Sequence, residues 1–421
     1  MTLDPKTFLT SIFDAAVAAA QPELTIRRYL PERPKGRTIV VGAGKGSAQM
    51  AAALERAWDG PLEGLVVTRY GYGAPTERIY VIEAAHPVPD AAGLSASQVL
   101  LDRVRGLTAD DLVIALISGG GSALLPSPPA GLTLADEIAV NEALLASGAS
   151  IAAMNAVRKH VSIIKGGRLA AAAFPARVVS LVVSNIPGDK AALVASGPTI
   201  PDATSRADAL DIIATYRIRL PVAVMAHLMT AAAEAPRPDD APFARNEVHL
   251  IASAAASLEA AAAKARRDGI DAVILSDSIE GEARDVGTVH AAIAREVATR
   301  NQPFVKPVLI LSGGETTVTL RGKGKGGRNS EFLLSFAIGI DGFQGIHALA
   351  ADTDGIDGSQ NNAGAFADGS SIARMRAVGI DAKAKLDAND TWTAFHAVDH
   401  LFVPGPTGTN VNDLRAILVR H

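Results

Sequence analysis

From Thr38 onward the chain alternates short runs of branched apolar residues with Ala-rich stretches whose apolar positions recur at helical spacing. That alternation predicts an α/β fold with a largely parallel sheet, since parallel strands are covered on both faces and read as continuous apolar runs. Strands are predicted at Thr38–Val41, Gly64–Thr68, Arg78–Ile82, Asp111–Ile117 and Arg177–Val183, and helices at Ser47–Trp58, Ala91–Arg105 and Ala135–Ser147. The opening segment, Met1 to Val17, has amphipathic spacing and an early acid, so it predicts a helix and not a secretory leader. Proline and charge concentrate in Glu234–Phe243, which predicts a linker between a first domain, residues 1–236, and a second, residues 245–421. In the second domain strands are expected at Val248–Ser253, Ala272–Ser276, Val308–Ser312 and His347–Asp352, and the chain is expected to close on a helix.

A length of 421 residues suits two such domains, and 48% hydrophobic with 20% charged residues is the composition of a soluble globular protein. The net charge of −4 gives no chain-wide basic field, so neither nucleic acid nor an anionic membrane is an expected partner. Aromatic residues, at 4%, are too sparse for a base-stacking surface. The absence of cysteine removes disulfides, thiolate metal sites and a Cys nucleophile together. The uncharged run Ala143–Val157 contains Ser, Gly and Asn and falls short of a membrane span, so a cytoplasmic location is expected. A homodimer is compatible with all of this.

Chemistry then has to come from oxygen and nitrogen side chains, backbone amides or a borrowed cofactor, and the 38 glycines show where. Gly42-Ala43-Gly44-Lys45-Gly46-Ser47 follows a strand and opens a helix, a place where amides and a cation can meet a phosphate or carboxylate. It lacks the P-loop spacing. As a dinucleotide fingerprint it is weakened by Arg69 at the end of the next strand, where NAD use would prefer an acid. Ser118-Gly119-Gly120-Gly121-Ser122 repeats the device with amides free of side chains. His86, in a proline-stiffened loop, is expected to line a site at most, because no triad partner lies nearby in sequence. Asn155, Arg158 and Lys159 form a polar run that reads either as a solvated face or, for Arg158, as a ligand contact if it points into a cleft. Asp189 can hold Mg²⁺ or simply close a turn.

The segment Ile310-Leu311-Ser312-Gly313-Gly314-Glu315-Thr316 resembles the earlier Ser-Gly-Gly strand end. It leads into a loop carrying Lys323, Lys325 and Arg328, followed by Asn329, which is expected to be mobile and to close over a polyanion. Asp352, Asp354 and Asp357 fall within six residues. An EF-hand is rejected because its twelfth position is Ala363, which leaves Mg²⁺ with a nucleotide, or turn capping. Thr407 and Asn410 offer further polar lining near the C-terminus.

Taken in order, Gly42 to Lys45, His86 to Asp90, Ser118 to Ser122, Lys165 to Ala170, Ile186 to Asp189, Ser196 to Pro198, Gly313 to Thr316, Gly327 to Asn329, Asp354 to Gly358 and Gly405 to Asn412 resemble the class II glycerate 2-kinases of MOFRL type. Members are often labelled hydroxypyruvate reductase. The resemblance spans nearly the whole chain. It implies a Rossmann-like N-terminal domain, a smaller C-terminal MOFRL domain and a site in the cleft between them. It also implies phosphorylation of D-glycerate at its 2-hydroxyl by ATP with Mg²⁺.

The family's essential lysine and arginine fall on Lys45 and Arg328. Beside them, Gly44, Gly46, Ser47, His86, Ser118 to Ser122, Asn155, Arg158, Lys159, Glu315, Thr316, Asn329, Thr407 and Asn410 are candidate substrate or nucleotide contacts on the reading of the loops, and Asp189, Asp352 and Asp354 candidate metal ligands. Asn185 and Lys190 stand where the family usually has acids, Ser330 where Gln is common and Pro404 where Thr is usual. The alternatives are an NAD(P)H-dependent hydroxypyruvate reductase and a non-catalytic sensor of sugar acids.

Overall fold

The computed structural model describes residues 4–421, and its chain divides into two compact units. One comprises residues 22–251; the other comprises residues 252–421 together with the N-terminal residues up to Gln21. Of the predicted N-terminal helix, Met1 to Leu3 lie outside the described residues.

In the first unit, strands β1 (Thr38–Ala43), β2 (Glu63–Arg69), β3 (Ile79–Ala84), β4 (Leu112–Ile117), β5 (Arg177–Val183) and β6 (Glu247–Ala252) form one sheet in the order β3-β2-β1-β4-β5-β6. β1 to β5 pair in parallel. This is the Rossmann-like order expected, and the order reverses between β1 and β4, the switch point at whose carboxyl ends open α/β sheets bind ligands. The branched runs of β1 and β4 are buried along their whole length. On one face Ile39, Val41, Val113 and Ile117 pack with Leu100, Leu101 and Val104 of the helix Ala91–Val104, which Asp90 starts by accepting the Gly93 N–H.

The second unit is built on β7 (Asp271–Ile274), β8 (Val308–Gly314), β9 (Ile346–Asp352), β10 (Gly364–Asp368), β11 (Leu401–Phe402) and β12 (Asp413–Val419), in the order β11-β10-β9-β12-β8-β7. β12 runs antiparallel to both β8 and β9, so the last two pass in the same direction.

Two expectations are corrected here. The chain closes on a strand, not a helix: Leu414 to Val419 is buried on both faces between two neighbours, so it shows no alternation, and tertiary pairing overrides the helix preference of its Leu, Arg and Ala. The boundary at Glu234–Phe243 is also displaced. Phe243 is buried in the first unit's core, Arg168 donates to the carbonyls of Ala233 and Glu234, and the chain continues into β6 before it leaves. The N-terminal helix Pro5–Ala19 belongs to the second unit, where Phe8, Leu9, Ile12, Phe13 and Ala16 pack against Leu258, Ala261, Leu309, Leu349 and Leu414.

Candidate functional site

The carboxyl ends of β1 and β4 gather residues far apart in sequence. Gly44 has φ 142°, and a Cβ there would lie 2.1 Å from Ser118 Oγ, so only glycine lets the β1 and β4 loops touch. The two loops are then laced together: Lys45 N–H donates to Gly119 O (2.8 Å), Gly46 N–H to Ser118 Oγ (3.0 Å) and Ser47 Oγ to Leu116 O (2.9 Å). Ser47 and Ser118 are therefore buried and committed to the scaffold. Gly120, with φ 84°, precedes the short helix Gly121–Leu124, whose start no side chain caps.

Lys45 projects from this knot half-buried, and its ammonium makes no ion pair among the described residues. A Cβ on Gly120 would fall 3.3 Å from Lys45 Cγ and 3.1 Å from His86 Nε2, so the lysine and histidine flank the same glycine. Burial, then the charges of Lys45 and Arg69, push His86 down to about 4. The ring is neutral at pH 7.

A second polar line continues from the same loop. Ser122 Oγ lies 2.8 Å from Ser196 Oγ, Ser196 Oγ donates to Asn155 Oδ1 (2.9 Å), and Arg158 donates to that oxygen (3.1 Å) and to Asn141 Oδ1 (2.8 Å). Ala195 and Ser196 both hold left-handed backbone, at φ 54° and 59°. Lys159, expected as a ligand contact, points elsewhere: it is buried and ion-paired with Asp202. Asp189 sits in a turn at φ 52°, its N–H bonded to Ile186 O.

In the second unit the site residues collect where β8 and β9 end and β12 begins. Arg328, first residue of the helix Arg328–Gly339, donates through Nε to Asp413 Oδ1 (2.8 Å) and through one NH₂ to Asp352 Oδ2 (2.5 Å), while the other NH₂ stands 3.6 Å from Glu315. Burial opposes the guanidinium charge, but Asp413, Asp352 and Glu315 more than offset it and raise the pKa of Arg328. Acids outnumber cations here, so Asp352 is raised as well: burial is the main cause, Arg328 opposes it, and Asp354 and Asp413 add to it.

Asp413 Oδ2 is held by Arg415 (2.7 Å), a fully buried arginine that also reaches Gly313 O and Thr316 Oγ1. Asp413 and Arg415, missed in the sequence reading, organise the cluster. Thr316 is buried support and not lining. Asn329 donates to Asp413 Oδ1 (2.7 Å), Asn410 to Asp354 Oδ2 (3.3 Å) and Thr407 to Thr353 O (2.5 Å). Asp357 caps the Arg328 helix by accepting the N–H groups of Asn329 and Ser330. The Lys323–Lys325 loop, expected to be mobile, is pinned: Asn389 accepts from Arg321 and Gly322, Asp390 accepts from Lys325 N–H, and the Lys325 ammonium lies over Trp392.

Comparison with known proteins follows this geometry. A family model described as a domain of unknown function, DUF4147, matches residues 8–229, and the MOFRL family model matches residues 308–413. "D-glycerate 2-kinase" of Thermotoga maritima is 38% identical over 97% of this chain and 97% of its own. The chain belongs to the class II glycerate kinase family. A solved glycerate kinase structure from Thermotoga maritima superposes with a TM-score of 0.89 at 37% identity, covering 98% of this chain and 99% of that one. An Agrobacterium vitis relative named "Putative hydroxypyruvate reductase" is 53% identical over 98% of this chain and 94% of its own.

Within this family the glycine pattern can be tested against the dinucleotide reading. A Cβ on Gly42 would meet Leu116 O at 2.3 Å and one on Gly44 would meet Ser118, so both glycines make room for β4 and not for a pyrophosphate. Arg69 at the end of β2 stacks on Tyr72, 4.5 Å from the ring centroid.

Proposed function

We propose that the protein is an ATP-dependent kinase that phosphorylates D-glycerate on its 2-hydroxyl, giving 2-phosphoglycerate and ADP. The observation that carries this reading is the Lys45 ammonium, without an ion-pair partner among the described residues, at the carboxyl ends of β1 and β4 and beside a histidine held neutral, in a chain of this family. The substrate's 2-oxygen attacks the γ-phosphorus, the bond to the ADP oxygen breaks with its electron pair going to ADP, and the hydroxyl proton passes to water. Such a transfer has a loose transition state, so a positioned cation contributes more than a strong base. Lys45 takes the transferring phosphoryl. Arg328, immobilised by Asp413 and Asp352, offers the NH₂ group facing Glu315 to the nucleotide phosphates.

The residues fit Mg²⁺ in kind. Asp352 and Asp354 supply hard carboxylate oxygens, one Asp352 oxygen accepting from Arg328 and the other from the Asp354 N–H. No group of three or more His, Asp or Glu placed to hold a metal occurs among the described residues, and Mg²⁺ usually takes one or two carboxylates with substrate phosphates. Asp352 and Asp354 would hold it. When bound it would neutralise charge on the phosphates. No helix of the described residues is long and apolar enough to cross a membrane.

The test supplies D-glycerate, ATP and Mg²⁺ and follows ADP, with hydroxypyruvate and NADH in parallel. Product that enolase accepts directly is expected. NADH consumption without ADP would replace this reading with the reductase, and binding of sugar acids with neither signal would replace it with the sensor.

A further inference from the structure

The first unit buries or half-buries several cations, and they differ in one respect. Lys159 is paired with Asp202 and Lys165 with Glu137, both in contact. Arg168 is spanned by the carbonyls of Ala233 and Glu234. Arg158 has no carboxylate within 4 Å among the described residues; its two acceptors, Asn141 Oδ1 and Asn155 Oδ1, are neutral amide oxygens. Glu137, the acid that acts on it across space, already holds Lys165 and accepts the Ser127 N–H. A half-buried guanidinium with no carboxylate in contact is an unfavourable arrangement that an incoming anion would relieve.

Arg158 is half-buried, and its neighbours hold the guanidinium in place. Asn155, buried, is held by donating to Leu193 O (2.9 Å), so its oxygen fixes one edge of the guanidinium while Asn141 fixes another. The same oxygen accepts from Ser196, which meets Ser122 on the glycine loop that Lys45 overlies. Ala195 and Ser196 hold consecutive left-handed conformations at the centre of this line, the kind of strain that persists where surrounding structure over-determines it and that clusters at ligand sites. A planar guanidinium clamped on two edges presents its remaining N–H groups as a fork, the geometry that matches a carboxylate.

We infer that Arg158 is the residue that takes the carboxylate of the acid substrate, with Lys45 reserved for the phosphoryl group. The inference rests on the proposed reading of this site and assigns its selectivity for an acid. Arg328 is not needed in this role, because two of its edges are already on carboxylates.

The experiment compares wild type with Arg158→Gln and Arg158→Lys, using D-glycerate and its neutral amide, glyceramide, at saturating ATP. In Arg158→Gln the KM for D-glycerate should rise ~100-fold, the scale expected when one partner of a desolvated charge pair is removed. The KM for ATP should stay within about threefold, as should turnover of glyceramide, so that the preference for acid over amide collapses. Arg158→Lys should restore part of that preference. A D-glycerate KM unchanged in Arg158→Gln would overturn the inference, as would equal losses for acid and amide, since a merely structural arginine would not separate them. Calorimetric titration with D-glycerate and with hydroxypyruvate reads the same contact without turnover. If wild type makes no ADP, the kinase reading fails by itself, while loss of acid binding in Arg158→Gln would still sustain the carboxylate contact and retained binding would overturn it.

Discussion

Two strand ends in this protein carry the same Ser-Gly-Gly device, and they have been put to opposite electrostatic use. At Ser118-Gly119-Gly120 the loop is tied to the β1 loop by hydrogen bonds, and the cation it supports, Lys45, has no ion-pair partner among the described residues. At Ser312-Gly313-Gly314 the serine is bonded to His290 Nε2 (3.0 Å), Gly313 O receives Arg415, and the nearby cation, Arg328, is surrounded by Asp413, Asp352 and Glu315. The glycines set how closely backbone can approach in both places. The charge of each site is decided by neighbouring strands, which bring no acid to Lys45 and deliver Asp352 and Asp413 to Arg328.

That contrast is open to breaking, and the largest effect is expected at Lys45. Lys45→Ala should lower kcat about a thousand-fold, the scale of removing a cation from a transferring phosphoryl group, with an unchanged thermal midpoint because no partner is stranded. Arg328→Ala should lower kcat too, but it also leaves Asp352 and Asp413 facing each other buried, at a cost of about 3–5 kcal/mol in denaturant unfolding. Equal thermal midpoints for the two variants would erase the distinction drawn between a free and a clamped cation.

A smaller effect separates glycines that fill a contact from one that does not. Gly44→Ala would place a Cβ 2.1 Å from Ser118 Oγ at φ 142°, and Gly314→Ala would place one 2.2 Å from Ile279 O at φ 118°. Each should destabilise by about 1–3 kcal/mol, as overpacking does. Gly46→Ala meets nothing nearer than 3.6 Å and should unfold like wild type within about 0.5 kcal/mol, so any loss of activity there reports on ligand approach.

How much of this the sequence discloses follows from which forces are local. β1 to β5 are legible because each is a branched apolar run bounded by turn residues, and Arg177–Val183 is found with the bounds predicted. β10 is not, since Gly364-Ala365-Phe366-Ala367-Asp368 lacks the branched residues that mark a strand. The lysine and glycine loops of the site are legible for the same local reason. Asp413 is not, because its role depends on register: β12 sets it opposite Gly314 on one side and Asp352 on the other, a coincidence of three strands that no spacing reveals. Lys159 misleads in the converse way, since its partner Asp202 lies forty-three residues on.

The remaining effect concerns the histidine beside Lys45 and is confined to acid pH, and its sign can be worked out. His86 is lowered from 6.5 to about 4 in the folded chain by burial and by the charges of Lys45 and Arg69, so between those values the unfolded chain binds more protons than the folded one. Its contribution to stability is therefore present above pH 6.5 and is lost as pH falls toward 4. His290 and His400 in the other unit are lowered to about 4 by burial too, so the whole protein shares this acid sensitivity. His86→Gln should remove only the portion belonging to the Lys45 site, giving a shallower loss of stability from pH 6.5 to 4 in denaturant titrations. In the Lys45→Ala background one of the charges that keep the ring neutral is gone, so substituting His86 there should change the pH slope less. If the slope change is the same with and without Lys45, the two side chains do not interact electrostatically and the ammonium does not define the site.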